Sequence, residues 1–173
     1  MSTSAYRFLS DFINQGRYDE IASMAHDAWR AEKEKQGWTY GRHKSNEKQT
    51  HPFMKPFNEL TKWQQIGNNL SAYSTVNFFR TRFKKLSVNG LIMVFDDLMA
   101  GKREALMEEL GEYVHSHFTA SLIAQKQTLA ERPDMVVYEA LDEDVQELDL
   151  VIARATIRFL KDVMEKDGEL ETE

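Results

Sequence analysis

The stretch that decides the fold is HDAWRAEKEKQGWTYG, residues 26–41. Its first part has helical spacing, and Gly37 predicts the end of that helix. Gly37 and Gly41 then bracket Trp38 and Tyr40, whose alternation in an extended segment would turn both rings the same way. This bulky, semi-polar surface beside a turn suits three roles: a core plug, a binding pocket or a reaction centre.

Helical spacing continues on both sides of this stretch. Only three prolines occur, so most of the chain is free to be helical. Residues 38–60 follow no helical period and predict an ordered, irregular loop with a short strand pair in the form of a β-hairpin. The helices are predicted over residues 4–14, 18–36, 71–86, 91–100, 102–131 and 141–166. The sequence therefore predicts a mainly α protein in which Gly168 ends the last helix.

Length and composition limit the class of protein. A chain of 173 residues is long enough for one globular domain, or a small domain with an extension. The absence of cysteine excludes disulfides, thiolate metal sites and cysteine nucleophiles. No signal-peptide pattern and no long apolar run is present, so we expect a cytoplasmic protein without a membrane segment.

The two halves of the chain carry opposite charge. Residues 1–90 hold 14 Lys/Arg and 8 Asp/Glu, whereas residues 91–173 hold 8 and 20. Such asymmetry suits two halves that attract each other, a nucleic-acid face, or a basic half that holds a smaller anion such as a nucleotide. Because the pI is about 5.4, nucleic acid is not the expected partner.

One face of the second predicted helix offers chemistry. His26, Trp29, Arg30 and Lys33 follow at i, i+3, i+4 and i+7 and therefore share a face. An indole beside cations and an imidazole is suited to a planar, anionic ligand. The alternative is a structural one, in which Trp29 belongs to the core and the cations are solvated.

These motifs also resemble a known family. His26 and Trp29 form an HxxW pair, residues 37–41 read GWTYG, and residues 51–60 read HPFMKPFNEL. In this combination the chain resembles the ryanodine receptor repeat (RyR) domain over about residues 5–83. The resemblance divides the chain into an RyR-like domain of residues 1–88, a helical extension of residues 89–168 that packs on it or forms an oligomer interface, and a frayed tail of residues 169–173.

The resemblance implies a function that is not catalytic. Stand-alone bacterial or phage members look like sensors of nucleotide-type ligands, and their HxxW helix is implicated in lining the ligand cleft. Carried over, this points to His26 and Trp29, with Lys33 one turn further. A departure is Lys44-Ser45-Asn46, where the family usually has an Arg-Asp-Asp-like run; it keeps the positive charge and loses the acids.

Other candidate sites have simpler explanations. His115 and His117 lie two residues apart on a predicted helix without an HExxH pattern, so neither a metal site nor an enzyme is expected. The stretch NFFRTRFKKL, residues 77–86, mixes aromatic and basic residues. Its cations are expected to be exposed, to dock onto the acidic half, or to complete an anion pocket with Arg30 and Lys33.

The sequence therefore predicts a non-catalytic RyR-type module without a cofactor that binds a small nucleotide-like anion. Sensing or sequestering a signalling nucleotide, in bacterial defence or phage counter-defence, would follow from family context. The expected ligand-binding residues are His26, Trp29, Arg30, Lys33, Trp38, Tyr40 and Lys44. The alternative is a protein–protein interaction or scaffold module in which the C-terminal helices form a homo-oligomer.

Overall fold

Six α-helices make up most of the protein. The computed structural model describes residues 3–170, without the side chains of residues 18, 67, 68 and 168–170. The helices are α1 (Ala5–Asn14), α2 (Tyr18–Lys35), α3 (Lys62–Arg82), α4 (Val88–Met99), α5 (Glu104–Ala124) and α6 (Glu143–Leu170). Two strands, β1 (Thr39–Tyr40) and β2 (Thr50–His51), and two short 3-10 turns, Phe57–Glu59 and Tyr138–Ala140, lie between them. The mainly α fold class is confirmed.

Several helix boundaries differ from the prediction. α3 begins nine residues early because Thr61 and Gln64 form a capping box, in which each side chain accepts the other's backbone N–H. α5 ends at Ala124 rather than at residue 131, and Lys126 follows with a left-handed φ of 60°. α6 passes through Gly168, so the predicted end there is wrong. Residues 171–173 of the predicted frayed tail lie outside the described residues.

The strand pair is parallel, so the predicted β-hairpin is wrong in this detail. Thr39 pairs with Thr50, and Tyr40 pairs with His51. Between the strands the chain first turns back on itself, since Ser45 and Thr50 exchange two backbone hydrogen bonds of 3.0 Å. β2 therefore runs in the direction of β1. The result is a compact loop that presents His51 beside the end of α2.

One hydrophobic core joins the two halves of the chain. Leu9 of α1, Phe79 of α3, Phe95 of α4, Leu110 of α5 and Ile157 of α6 are fully buried in the same cluster. The long helix α6 packs against α2, α3, α4 and α5. This packing buries one side of α6 within the chain, and α5 and α6 are held across from α2. Among residues 3–170 no helix has the length and apolarity to cross a membrane.

Candidate ligand-binding site

A cavity of about 690 Å³ has α2 and the loop that follows it on one side, and helices α5 and α6 with their connection on the other. This volume is typical of pockets that hold small molecules. The predicted site residues that line it are His26, Trp29, Lys33, Trp38 and Lys44. The structure thus brings five of the seven predicted residues together on one side of the cavity, which we call the α2 wall and which also includes His51 and Phe53.

The α2 wall is a set of rings in contact. The His26 ring stacks on Trp29 at a centroid distance of 5.6 Å, and His51 meets Trp29 edge-on at 5.1 Å. The buried His26 donates from Nε2 to the Lys55 carbonyl at 2.7 Å, which ties α2 to the loop. His51 accepts the backbone N–H of Phe53 at Nδ1, at 3.1 Å. These hydrogen bonds fix both imidazoles, so the indole of Trp29 has a defined position.

The charges of the α2 wall are partly desolvated. Burial, Lys44 and Lys33 lower the pKa of His51 to about 3, in keeping with an Nδ1 that accepts a hydrogen bond. Burial and then Lys44 lower the pKa of Lys33 to about 8. The Lys33 ammonium lies 3.9 Å from the Trp38 ring centre, a cation–π contact. An anion entering this region would relieve the repulsion between the two lysines.

The opposite side of the cavity contains the buried His115–Asp149 pair. We call this side the α5–α6 wall; its residues are His115, Phe118, Arg132, Asp134 and Asp149. His115 of α5 donates from Nε2 to the Val136 carbonyl at 2.7 Å, and its Nδ1 lies 3.2 Å from Asp149 Oδ2 of α6. Burial opposes the charged imidazolium, but the hydrogen bonds to Asp149 and Val136 outweigh it and raise the pKa of His115. Burial raises the pKa of Asp149, and His115 limits that rise.

A second ion pair lies on the segment between α5 and α6. Arg132 binds Asp134 through two parallel hydrogen bonds of 2.9 and 2.6 Å. The Arg132 guanidinium also lies 5.3 Å from the ring centre of Phe118, on α5. Burial alone would raise the pKa of Asp134, but Arg132 outweighs burial and lowers it. Arg132 in turn lowers the pKa of Lys33 and Lys44, so its charge acts across the cavity.

Two predicted site residues do not line the cavity. Arg30 forms an ion pair with Glu34 along α2 at 3.1 Å. Tyr40 is 56% exposed, on the outer side of β1. The cations of residues 77–86 do not complete the cavity either, because Arg80 donates to Asn77 at 2.7 Å and Arg82 pairs with Glu109 of the acidic half at 3.5 Å.

Sequence reasoning missed the α5–α6 wall, Trp63 of α3, and His51 and Phe53 of the α2 wall. The missed residues of the α5–α6 wall are His115, Phe118, Arg132, Asp134 and Asp149. Pro133 signalled a break in the helical pattern, but no sequence signal indicated that this break faces α2. Within the described residues, no three His, Asp or Glu side chains converge as metal ligands. The arrangement supplies aromatic faces and cations, which suits the binding of a planar anion.

The comparison with known families covers the part of the chain that contains the α2 wall. Residues 11–82 match the family model of the RyR domain, and the resemblance read from the sequence is confirmed over that segment. No curated protein matches the chain. The α2 wall lies inside the matched segment, whereas Phe118, Arg132 and the His115–Asp149 pair lie outside it.

Proposed function

We propose that this protein is a non-catalytic RyR-type module that binds a small, nucleotide-like anionic ligand in the cavity between its two walls. The observation that carries the proposal is the convergence of three cations, Lys33, Lys44 and Arg132, on a cavity faced by Trp29 and Trp38. Aromatic faces beside cations are a recurrent way to hold a base and its phosphate together.

Each group has a role in this proposal. The base stacks on Trp29, whose ring His26 and His51 hold in place. The phosphate lies near Lys33 and Lys44, which the low dielectric of a partly buried site makes effective. Burial and the neighbouring cations lower the pKa of both lysines. A bound anion would stabilise the charged form of each lysine.

The biological role belongs to the same proposal. A module that binds a nucleotide without turning it over is suited to sensing or sequestering a signalling nucleotide. The resemblance to bacterial and phage RyR-type proteins supports a place in defence or counter-defence, in the cytoplasm. The absorbance ratio at 260 and 280 nm of freshly purified protein is a first check for a nucleotide that purifies with it.

The test is a thermal-shift panel of mono-, di- and cyclic nucleotides, followed by calorimetric titration of any that shift the protein. Trp29→Ala is expected to weaken binding by about tenfold or more, since base stacking on an aromatic ring contributes about 1–3 kcal/mol. Tyr40→Ala is the matched control, an exposed aromatic residue in the strand after α2 that does not line the cavity.

Two results would count against the proposal. Absence of any ligand-dependent shift in the wild type would remove the function, and equal weakening by Trp29→Ala and Tyr40→Ala would remove the site. A dimer in light scattering without a nucleotide response would instead support the interaction module.

A further inference from the structure

The segment between α5 and α6, residues 125–142, is a built part of the cavity. Arg132 N–H donates to the Thr128 carbonyl at 2.9 Å, and the Glu131 carboxylate accepts from Thr128 N–H at 3.1 Å. Val136 is held by His115, and the Tyr138 carbonyl accepts from Gln146 at 2.9 Å. These contacts fix the backbone on both sides of Arg132, so its guanidinium has a defined position.

The charges at this end of the cavity are unevenly paired. Asp134 neutralises Arg132 with two hydrogen bonds. Among the residues that the structure describes, neither Lys33 nor Lys44 has a carboxylate within salt-bridge distance. Asp134 nevertheless acts on both lysines at longer range, since it raises their pKa values against the effect of burial. Three cations therefore share one carboxylate.

Asp134 also has the geometry of a substitute for a ligand. A carboxylate and a phosphate both fit the planar fork of arginine with two parallel hydrogen bonds. The side chains of Arg132 and Asp134 are 23% and 25% exposed, so the carboxylate can rotate toward solvent without crossing the core. A phosphate on Arg132 that also reached Lys33 and Lys44 would contact two cations that Asp134 does not.

We propose that Arg132, Lys33 and Lys44 form a subsite for a terminal phosphate dianion, and that Asp134 is its internal competitor. This inference rests on the proposed function and deepens it by naming the ligand class. A phosphomonoester carries up to two negative charges and has three free oxygens to share among the three cations. A cyclic 3′,5′-phosphodiester carries one charge and two free oxygens, so it replaces Asp134 less effectively.

The experiment uses inorganic pyrophosphate, the four nucleoside 5′-monophosphates, the matching 3′,5′-cyclic nucleotides and the uncharged nucleosides, titrated by calorimetry into the full chain. The best 5′-monophosphate is expected to bind about tenfold more tightly than its cyclic form, as expected for a charge-assisted hydrogen bond gained. Asp134→Asn is expected to tighten 5′-monophosphate and pyrophosphate binding by roughly three- to tenfold and to leave nucleoside binding unchanged.

Arg132→Gln is expected to weaken 5′-monophosphate binding by at least about tenfold, and Arg132→Lys, which keeps the charge but loses the fork, is expected to fall between. Arg154 and Glu147 provide matched controls. They form a similar ion pair on α6, in which the guanidinium donates more than one hydrogen bond to the carboxylate, and neither residue lines the cavity. Arg154→Gln and Glu147→Gln should bind every probe as the wild type does. Circular dichroism of each variant confirms that it has folded.

The outcomes separate this inference from the proposed function. If a nucleotide binds in a Trp29-dependent way and Arg132→Gln binds it equally well, the function stands and the phosphate subsite is overturned. Weaker or unchanged phosphate binding by Asp134→Asn overturns the competitor role. If pyrophosphate binding depends on Arg132 while no nucleotide binds better than pyrophosphate, the subsite stands and the nucleotide function falls. If no probe binds, both are overturned.

Discussion

The two walls of the cavity each contain a buried histidine that holds a loop, and the pKa values of the two histidines are shifted in opposite directions. His26 of α2 donates to the Lys55 carbonyl, and His115 of α5 donates to the Val136 carbonyl, both at 2.7 Å. Burial lowers the pKa of His26, whereas Asp149 and Val136 outweigh burial and raise the pKa of His115. The same hydrogen bond is therefore made on one wall by a ring whose neutral form is favoured, and on the other by a ring whose charged form is favoured.

This difference gives the walls opposite responses to pH. A histidine whose folded pKa is lowered stabilises the fold above its unfolded pKa of about 6.5, and this stability is lost as the pH falls. A histidine whose folded pKa is raised stabilises the fold fully below about 6.5, and this stability is lost as the pH rises through the folded pKa. Acid therefore weakens the α2 wall, and alkali weakens the α5–α6 wall.

Deletion of each histidine is the strongest way to test this contrast. His115→Ala removes the hydrogen bonds that His115 makes to the Asp149 carboxylate and the Val136 carbonyl. We expect this to cost about 3–4 kcal/mol of unfolding free energy. His26→Ala loses the hydrogen bond to the Lys55 carbonyl and the ring contacts with Trp29 and Phe57, about 2 kcal/mol. Urea unfolding measures both. His117→Ala is the control, since its ring contacts Tyr113, one turn away on the same helix, and equal costs at 26 and 115 would contradict the contrast.

Most of the α2 wall could be predicted from the sequence because those residues are close along the chain, whereas His51 and Phe53 reach the wall through the fold of the loop. His26, Trp29 and Lys33 share a helix face by spacing alone, and the glycines around Trp38 mark the turn that follows. The α5–α6 wall depends on where α6 packs, which helical spacing does not specify. Arg132 lies about a hundred residues from Lys33, and only the shared core brings them to one cavity.

The two exclusions among the predicted residues have a similar explanation. Arg30 shares the helix face of His26, but it is also one turn from Glu34, and the local ion pair turns it along α2. Tyr40 alternates with Trp38 as predicted for an extended segment. However, the ring of Tyr40 is 56% exposed and does not line the cavity, so the two rings do not form one wall.

Gly41, directly after β1, and Gly111, on α5, each allow a close approach of another residue, and substitution should separate the two positions. A Cβ at Gly41 would lie 2.5 Å from Thr50 Cβ, which is attached directly to the backbone of β2, so Gly41→Ala should cost about 2 kcal/mol. A Cβ at Gly111 would lie 2.7 Å from the far end of the Tyr138 ring, and the gain in helix propensity of about 1 kcal/mol offsets part of that overlap. Gly111→Ala should therefore change the unfolding free energy by less than about 1 kcal/mol. A larger loss at Gly111 than at Gly41 in urea unfolding would contradict this order.

The last expected effect is the acid response of His51. Its pKa is about 3 in the folded protein, so its contribution is present above about 6.5 and is lost as the pH falls from 6.5 toward 3. Because the side chain is only partly buried, we expect it to account for about 1–2 kcal/mol between pH 6.5 and 4.5. His51→Asn keeps an acceptor for the Phe53 N–H and removes the titration.

The measurement is the difference between the wild-type and His51→Asn unfolding free energies across that range, which cancels the carboxylates that both proteins titrate. The variant should be less stable than the wild type at pH 7 and should lose that disadvantage as the pH falls. His43→Asn, an exposed histidine of the same loop, should run parallel to the wild type. If the His51→Asn curve also runs parallel, protonation of His51 does not weaken the α2 wall. His115 cannot mimic the effect, since its contribution is already complete below pH 6.5 and changes only toward alkali.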